Sequence, residues 1–281
     1  MAELLKGAPV AAALNEALSA RVAKLAASGI KPGMCIVRVG ARPDDLAYER
    51  GVLKRFAAVG IECRVLELAA AIAQQDFIEV IKKINADHEI HGVLIFRPLP
   101  PQLDEGIIKH VLDPRKDMDC LTPENVAKVF EGDDTGYPPC TPQAVMEILD
   151  YYGVELKGKR VTLVGRSMVV GKPLAMMLLK RHATVTICHT RTVDLAGVCR
   201  GAEILIAAAG KAKMIGAGFV SPGQTVIDVG INLDEGGNLC GDVDRAGVED
   251  IVAALTPVPG GVGAVTSSIL AENVVRAAEM R

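Results

Sequence analysis

The chain has 281 residues, half of them hydrophobic, and a formal net charge of −3 with Lys and Arg scattered along it. This size allows two domains, which we expect, and the charge leaves no basic field for nucleic acid. The 7 cysteines are dispersed and nowhere spaced C-x-x-C, which suggests neither a disulfide framework nor a zinc knuckle and fits a reducing cytosol. The opening segment MAELLKGAPVAAALNEALSARVAKL has a polar residue every few positions, so it lacks a signal-peptide core and any run of ~18 apolar residues. A soluble, cytoplasmic protein without a metal site is expected.

Apolar, β-branched runs alternate with longer stretches of helical period, the pattern of parallel strands covered by crossover helices, so the fold class is α/β. A helix is predicted over 10–27, then strands at CIVRVG (35–40), CRVLEL (63–68) and GVLIF (92–96), with helices at 44–58 and 75–86 between them. EGDDTGYPPCTP (131–142) concentrates Gly, Pro and Asp and marks the domain boundary. Beyond it a helix is predicted at 143–152, with strands at RVTLVG, TVTICH, ILIAAAG and TVIDVG and a last helix from Ser267.

VTLVGRSMVVGKP (161–173) reads as a strand, a turn beginning at Gly165, and a helix starting near Gly171 with Pro173 in its first turn. Such a turn can aim free backbone N–H groups at a phosphate, as dinucleotide folds do. The Gly-x5-Gly spacing departs from G-x-G-x-x-G, so a plain strand-turn-helix is the competing reading. The next strand ends CHTRT (188–192), without the acid that binds ribose hydroxyls in an NAD site. Arg191, Thr190 and Arg166 can instead meet a 2′-phosphate, which favours NADP. The alternatives make Arg191 a solvated surface charge and His189 an ordinary strand-end residue. TPVPGGVGAVT (256–266) packs two Pro and three Gly between a strand and a helix, and glycines of this kind let the backbone approach a ligand.

The order and spacing of VGARPDDLAY, RPLP, KDMDCLTPEN, PPCTP, VGRSMVVGKP, ATVTICHTRT, VIDVGIN, GDV and TPVPGGVG resemble the bifunctional methylenetetrahydrofolate dehydrogenase/cyclohydrolase family across nearly the whole chain. The resemblance implies two Rossmann-like parallel-sheet domains with a cleft between them. These are a folate-side catalytic domain at 1–138 completed by the C-terminal helix 267–281, and an NADP-binding domain at 139–266. It also implies a homodimer and NADP-linked hydride transfer on a tetrahydrofolate one-carbon unit. By position, Gly165, Arg166, Ser167, Thr190 and Ile231 correspond to cofactor contacts, to which the strand-turn-helix reading adds Gly171 and Arg191. Tyr48 corresponds to the family tyrosine that stacks on the pterin and Asp119 to the acid that hydrogen-bonds it, the two catalytic candidates. Pro259, Gly260, Gly261, Val262 and Gly263 correspond to the loop lining the folate.

The chain departs from the pattern on the folate side. The family has Tyr-x-x-x-Lys, with the lysine as its central catalytic residue, and a Gln hydrogen-bonded to it; here those positions are Val52 and Phe96, the latter followed by Arg97. Val52, Phe96 and Arg97 are expected to line the substrate pocket. Cys120 also replaces a glycine, and Ala264-Val265 replaces Pro-Met. Lys54 lies two residues, or roughly 200° of helical rotation, from Val52 and faces away from it. Arg97 is the better replacement cation, its other reading being a surface charge at a strand end. Hydrolysis of a methenyl bridge needs an ionisable group near the reacting carbon, whereas hydride transfer mainly needs two carbons aligned.

The expected function is therefore an NADP-dependent methylenetetrahydrofolate dehydrogenase with weak or absent cyclohydrolase activity. One alternative is an NADP-dependent paralogue with a changed substrate. Another is a non-catalytic folate- or nucleotide-binding homologue, against which Tyr48, Asp119 and the glycine loops weigh. A dehydrogenase unrelated to folate would leave TPVPGGVG and KDMD as accidents.

Overall fold

The computed structural model describes residues 1–280. The chain opens with β1 (Glu3–Leu4) and α1 (Gly7–Ala27). There follow β2 (Gly33–Val39), α2 (Pro43–Val59), β3 (Glu62–Leu68), α3 (Gln74–Ala86), β4 (Gly92–Ile95), α4 (Glu105–Ile108) and α5 (Pro123–Glu131). Next come α6 (Cys140–Tyr151), β5 (Arg160–Val164), α7 (Gly171–Lys180), β6 (Thr184–Cys188), α8 (Leu195–Arg200) and β7 (Ile204–Ala207). The rest is β8 (Thr225–Asp228), β9 (Asn232–Leu233), β10 (Leu239–Cys240), α9 (Arg245–Val248), β11 (Ala254–Leu255) and α10 (Thr266–Glu279). The elements fall into two compact units, one of Ala13–Pro138 with Ser267 onward, the other of Met1–Ala12 with Pro139–Thr266.

In the first unit a parallel sheet runs β3-β2-β4, with Ile36 opposite Val65 and Leu94. β2 is buried along its whole length, as the middle strand of a sheet covered on both faces must be. Alternate residues Cys35, Val37 and Val39 join Val93 and Ile95 in one core with Phe77, Ile81 and Ile84 of α3, spaced to share a helix face. α2 has Pro43 at its first position, Asp44 and Asp45 in its first turn, and Gly60 at φ 81 as its C-cap. Its buried stripe is Val52, Phe56 and Val59. Arg38, buried on β2, holds this helix by donating to Glu49 (2.9 Å), and also reaches Glu67 (3.1 Å) and the Gly40 carbonyl. Arg38 thus ties β2 to the turn of α2 that carries Tyr48.

The second unit has a six-stranded, all-parallel sheet in the order β1-β11-β8-β7-β5-β6. From β5 the chain moves outward to β6, then returns to β7 on the other side of β5, so the strand order reverses between β5 and β7. Such a reversal opens a crevice at the carboxyl ends of the strands, where doubly wound folds bind ligands. Buried Val164, Leu205, Ala207, Val226 and Leu255 supply the core from four different strands. β9 and β10 form a small antiparallel hairpin beyond β8.

Residues 1–12, expected with the first domain, group with this second unit instead. The cause is backbone pairing: Glu3 and Leu4 extend the sheet alongside Ala254 and Leu255, and the Gly7 N–H donates to the Gly260 carbonyl (2.8 Å).

Candidate functional site

In the first unit, Tyr48 and Val52 lie one turn apart on α2 and so share a face. Tyr48 is 40% exposed while Val52 is fully buried. Phe96 extends β4 by donating its N–H to the Val37 carbonyl (3.0 Å), and its ring sits 5.7 Å from that of Tyr48 at a 47° tilt. An offset pair of this kind is worth about 0.5–1.5 kcal/mol beyond the area it buries. Lys54 is exposed, as its rotation around the helix requires.

Arg97 is not a loose surface charge. Its guanidinium, 23% exposed, lies between Glu105 (3.3 Å) and Asp119 (3.5 Å). Asp119 reaches that place because its neighbours are anchored. Lys116 is buried and donates to the Ile84 and Asp87 carbonyls at the end of α3 (2.7 and 2.6 Å). The Asp117 carboxylate accepts from the Leu121 N–H, the Thr122 N–H and hydroxyl, and the Asn125 amide, all within 2.9 Å. Of the two acids in KDMD, Asp117 is thus structural and Asp119 is the half-buried one beside Arg97. Cys120 takes φ 58, a left-handed conformation that glycine adopts without steric cost.

In the second unit, Gly165 leaves β5 at φ 136 and faces the Ala208 carbonyl so closely that a Cβ would collide with it. Gly171 is pressed in the same way against the Gly165 carbonyl. Both glycines are therefore demanded by packing as well as by any ligand. The N–H groups at the start of α7 are occupied: the Ser167 hydroxyl accepts from Val170 (3.1 Å) and Gly171 (3.4 Å), and the Ser167 carbonyl from Lys172 (3.0 Å). The donors without an acceptor among the described residues lie one step earlier, in the turn, on Arg166, Ser167, Met168 and Val169.

β5 and β6 are parallel neighbours, with Val164 opposite Cys188, so the turns carrying Arg166 and Arg191 leave adjacent strand ends. The β6 turn is closed by His189, whose N–H donates to the Thr192 hydroxyl (2.9 Å) and whose Nδ1 accepts from the Arg191 N–H (3.1 Å). Thr190 and Arg191 project outward from it, exposed. The first acid after β6, Asp194, is spent as the N-cap of α8, accepting from Gly197 (3.1 Å). Two cations, with the first acid after β6 committed to a helix cap, fit a cofactor with an extra phosphate.

Ile231 is exposed just after β8, and a Cβ on Gly263 would lie 3.6 Å from its Cδ1, so Ile231 and the Pro259–Gly263 loop are neighbours. Gly260 has φ 99, and Gly261 packs against the Pro257 carbonyl with no room for a side chain. Among the described residues no His, Cys, Asp and Glu cluster is arranged to hold a metal, and no helix is long and apolar enough to cross a membrane.

Two residues at this edge escaped the sequence reading. The Asp228 carboxylate, at the end of β8, accepts N–H bonds from Gly230 (3.0 Å), Asp242 (2.9 Å) and Val243 (3.0 Å). The Asp242 carboxylate accepts from Ala209 (2.6 Å), Gly210 (3.0 Å) and Lys211 (2.8 Å) and from the Asn232 amide (2.9 Å). The signal was an acid closing an apolar strand in TVIDVG and a second in GDV. Burial pushes the Asp228 carboxyl up to about 6, against the pull of its three N–H donors. The folded protein therefore binds this proton more tightly than the unfolded chain, and the associated stability is present in acid and lost as pH rises through about 6. Urea unfolding is expected to show the protein gaining about 1 kcal/mol, relative to Asp228→Asn, between about pH 7 and pH 5. An unchanged difference would place the Asp228 titration elsewhere.

Comparison with known proteins bears on both units. The family model described as tetrahydrofolate dehydrogenase/cyclohydrolase, NAD(P)-binding domain, matches residues 139–281, and that of the catalytic domain matches residues 5–119. The chain is 57% identical over 279 residues to the bifunctional protein FolD of Clostridioides difficile (strain 630), covering 99% of this chain and 97% of that one. Its fold is similar to that of the bifunctional enzyme FolD, methylenetetrahydrofolate dehydrogenase/cyclohydrolase, from Campylobacter jejuni, at TM-score 0.97 and 36% identity over 100% of both chains. It is also similar to the Trypanosoma brucei methylenetetrahydrofolate dehydrogenase-cyclohydrolase complexed with NADP cofactor and inhibitor, at TM-score 0.93 and 35% identity over 99% of this chain and 98% of that one.

Proposed function

The chain belongs to the tetrahydrofolate dehydrogenase/cyclohydrolase family, and on that premise we propose that it is an NADP-dependent methylenetetrahydrofolate dehydrogenase whose cyclohydrolase activity is weak or absent. The observation that carries the second clause is Val52, buried one turn from Tyr48, with the Phe96 ring against that tyrosine. No titratable side chain stands at either of the two positions where the family pattern has its lysine and glutamine.

The residues divide the work. Arg166, Thr190 and Arg191 would hold the 2′-phosphate of NADP, and the turn N–H groups from Arg166 to Val169 would serve the remaining phosphates. The cofactor would supply the hydride acceptor for the methylene carbon. Tyr48 offers its exposed face to the flat pterin. Asp119 accepts N–H bonds from the aminopyrimidine edge. Arg97 keeps that carboxylate in place from one side. Buried Val52 and nearly buried Phe96 offer no proton relay to water next to the methenyl carbon. Pro259, Gly260, Gly261, Val262 and Gly263 bring backbone close to the folate, beside Ile231 on the cofactor. The same reading takes the protein as a cytoplasmic homodimer, and a monomer by sedimentation equilibrium would remove the dimer from it.

The test follows NADPH formation and methenyltetrahydrofolate decay separately on the purified protein. Saturable NADPH formation from methylenetetrahydrofolate, with decay no faster than without protein, is expected. Brisk enzymatic hydrolysis would overturn the monofunctional clause. NADP binding without turnover would shift the reading to a paralogue with another substrate.

A further inference from the structure

The geometry points to Asp242, supported by Asp228, as a positioning residue that sets one wall of the cofactor crevice. The inference rests on the dehydrogenase reading and goes beyond it, because neither acid is among the residues expected to touch a ligand.

The crevice at the strand reversal has two walls, the turn after β5 and the loop after β7. The loop after β7 has no regular partner of its own. The successive N–H groups of Ala209, Gly210 and Lys211 all converge on the Asp242 carboxylate. The residue just before them, Ala208, is the one whose carbonyl Gly165 packs against, and its N–H donates to the Val164 carbonyl (2.8 Å). Moving this loop therefore moves the surface on which the β5 turn rests. The fourth bond of Asp242 reaches the Asn232 amide, next to Ile231.

Asp242 is itself held from behind. Its backbone N–H donates to Asp228, which also takes the N–H groups of Gly230 and Val243. The Asp228 N–H donates to the Thr256 hydroxyl (2.7 Å), at the head of the segment leading to Pro259–Gly263. Space is as tight as the bonding: a Cβ on Gly230 would collide with the Asp242 carboxyl, and one on Gly241 with that of Asp228. Neither acid has a basic partner among the described residues, so the Asp228 carboxylate is balanced by backbone dipoles and that of Asp242 by backbone dipoles and the Asn232 amide, which binds each to the loops that supply them. Asp242 thus serves the cofactor wall, while Asp228 serves that wall and the glycine loop together.

Asp242→Asn is the direct test. Each carboxylate oxygen accepts two donors, so whichever oxygen becomes NH2, two donors lose their acceptor. Misplacement by about 1 Å costs on the order of 100-fold in rate. We expect kcat/KM for NADP to fall by roughly that factor, mostly through KM, while KM for methylenetetrahydrofolate changes less than about twofold. Asp228→Asn should raise both KM values. Normal NADP affinity in Asp242→Asn, or equal loss of both affinities with lowered melting temperature, would overturn the inference and leave a purely structural role. Should that variant not fold, hydrogen exchange on the wild type decides: added NADP should slow exchange at 209–211 and 230–232 together, and no common change overturns the inference. A wild type that does not bind NADP would instead overturn the dehydrogenase reading itself.

Discussion

Val52→Lys combined with Phe96→Gln is expected to give the protein a methenyltetrahydrofolate hydrolase activity about 10²- to 10⁴-fold above its own level, the usual reach of a positioned general acid-base group. Both positions are closed to water, Val52 completely and Phe96 nearly so. An ammonium placed there alone is a buried, unpaired charge, which costs roughly 3–5 kcal/mol or drives the lysine pKa down toward neutrality. The second effect is the useful one, since an amine titrating near neutral pH can relay a proton. Glutamine at position 96 supplies the carbonyl acceptor that makes the burial tolerable, at the loss of the Tyr48–Phe96 ring pair. Val52→Lys by itself should therefore be markedly less stable than the double variant. NADPH formation should survive in both, because hydride transfer uses neither side chain. Hydrolysis absent from a folded double variant that still forms NADPH would show that the missing relay at these two positions is not what withholds it.

How much of this was legible in the chain depends on how local the cause is. Strands β2 to β8 were readable because each is an apolar, β-branched run, and α2 because Pro43 and Gly60 punctuate it. β1 and β11 were not, since two residues carry no period and their pairing joins positions 3 and 254. α5 carries a local signal in Thr122 and Pro123, an N-cap followed by proline at the first helical position.

The candidate site divides in the same way. Tyr48 and Val52 could be placed on one face from helical geometry alone. The partners of Arg97, Glu105 and Asp119, could not be read from spacing, and only the folded chain converts a strand-end cation into a bridge between two acids. Asp228 and Asp242 were less legible still. All their partners but the Asn232 amide are backbone N–H groups, up to 33 residues away, and every residue type but proline supplies one, so no pattern announces them.

Arg191→Glu should reverse the cofactor preference. The turn after β6 projects Arg191 into solvent with Thr190, while Asp194, the first acid after β6, is committed to capping α8. A glutamate at position 191 restores the acid that an NAD site uses to hold the ribose hydroxyls, and sets a like charge against a 2′-phosphate. Removing one charge-assisted hydrogen bond costs about 1.5–3 kcal/mol, or roughly 10- to 150-fold, and repulsion adds to it. We expect kcat/KM for NADP to fall on the order of 100-fold or more, with that for NAD unchanged or improved. Arg166→Ala should weaken NADP in the same direction but leave NAD unaided, because it removes a cation without adding an acceptor. Exposed charges are screened, so raising salt should erode the NADP preference of the wild type and have little effect on Arg191→Glu with NAD. Equal loss with both cofactors would mean that Arg191 serves a part the two molecules share, such as the diphosphate. Discrimination would then fall to Arg166, whose own turn already presents its unsatisfied N–H groups at the neighbouring strand end.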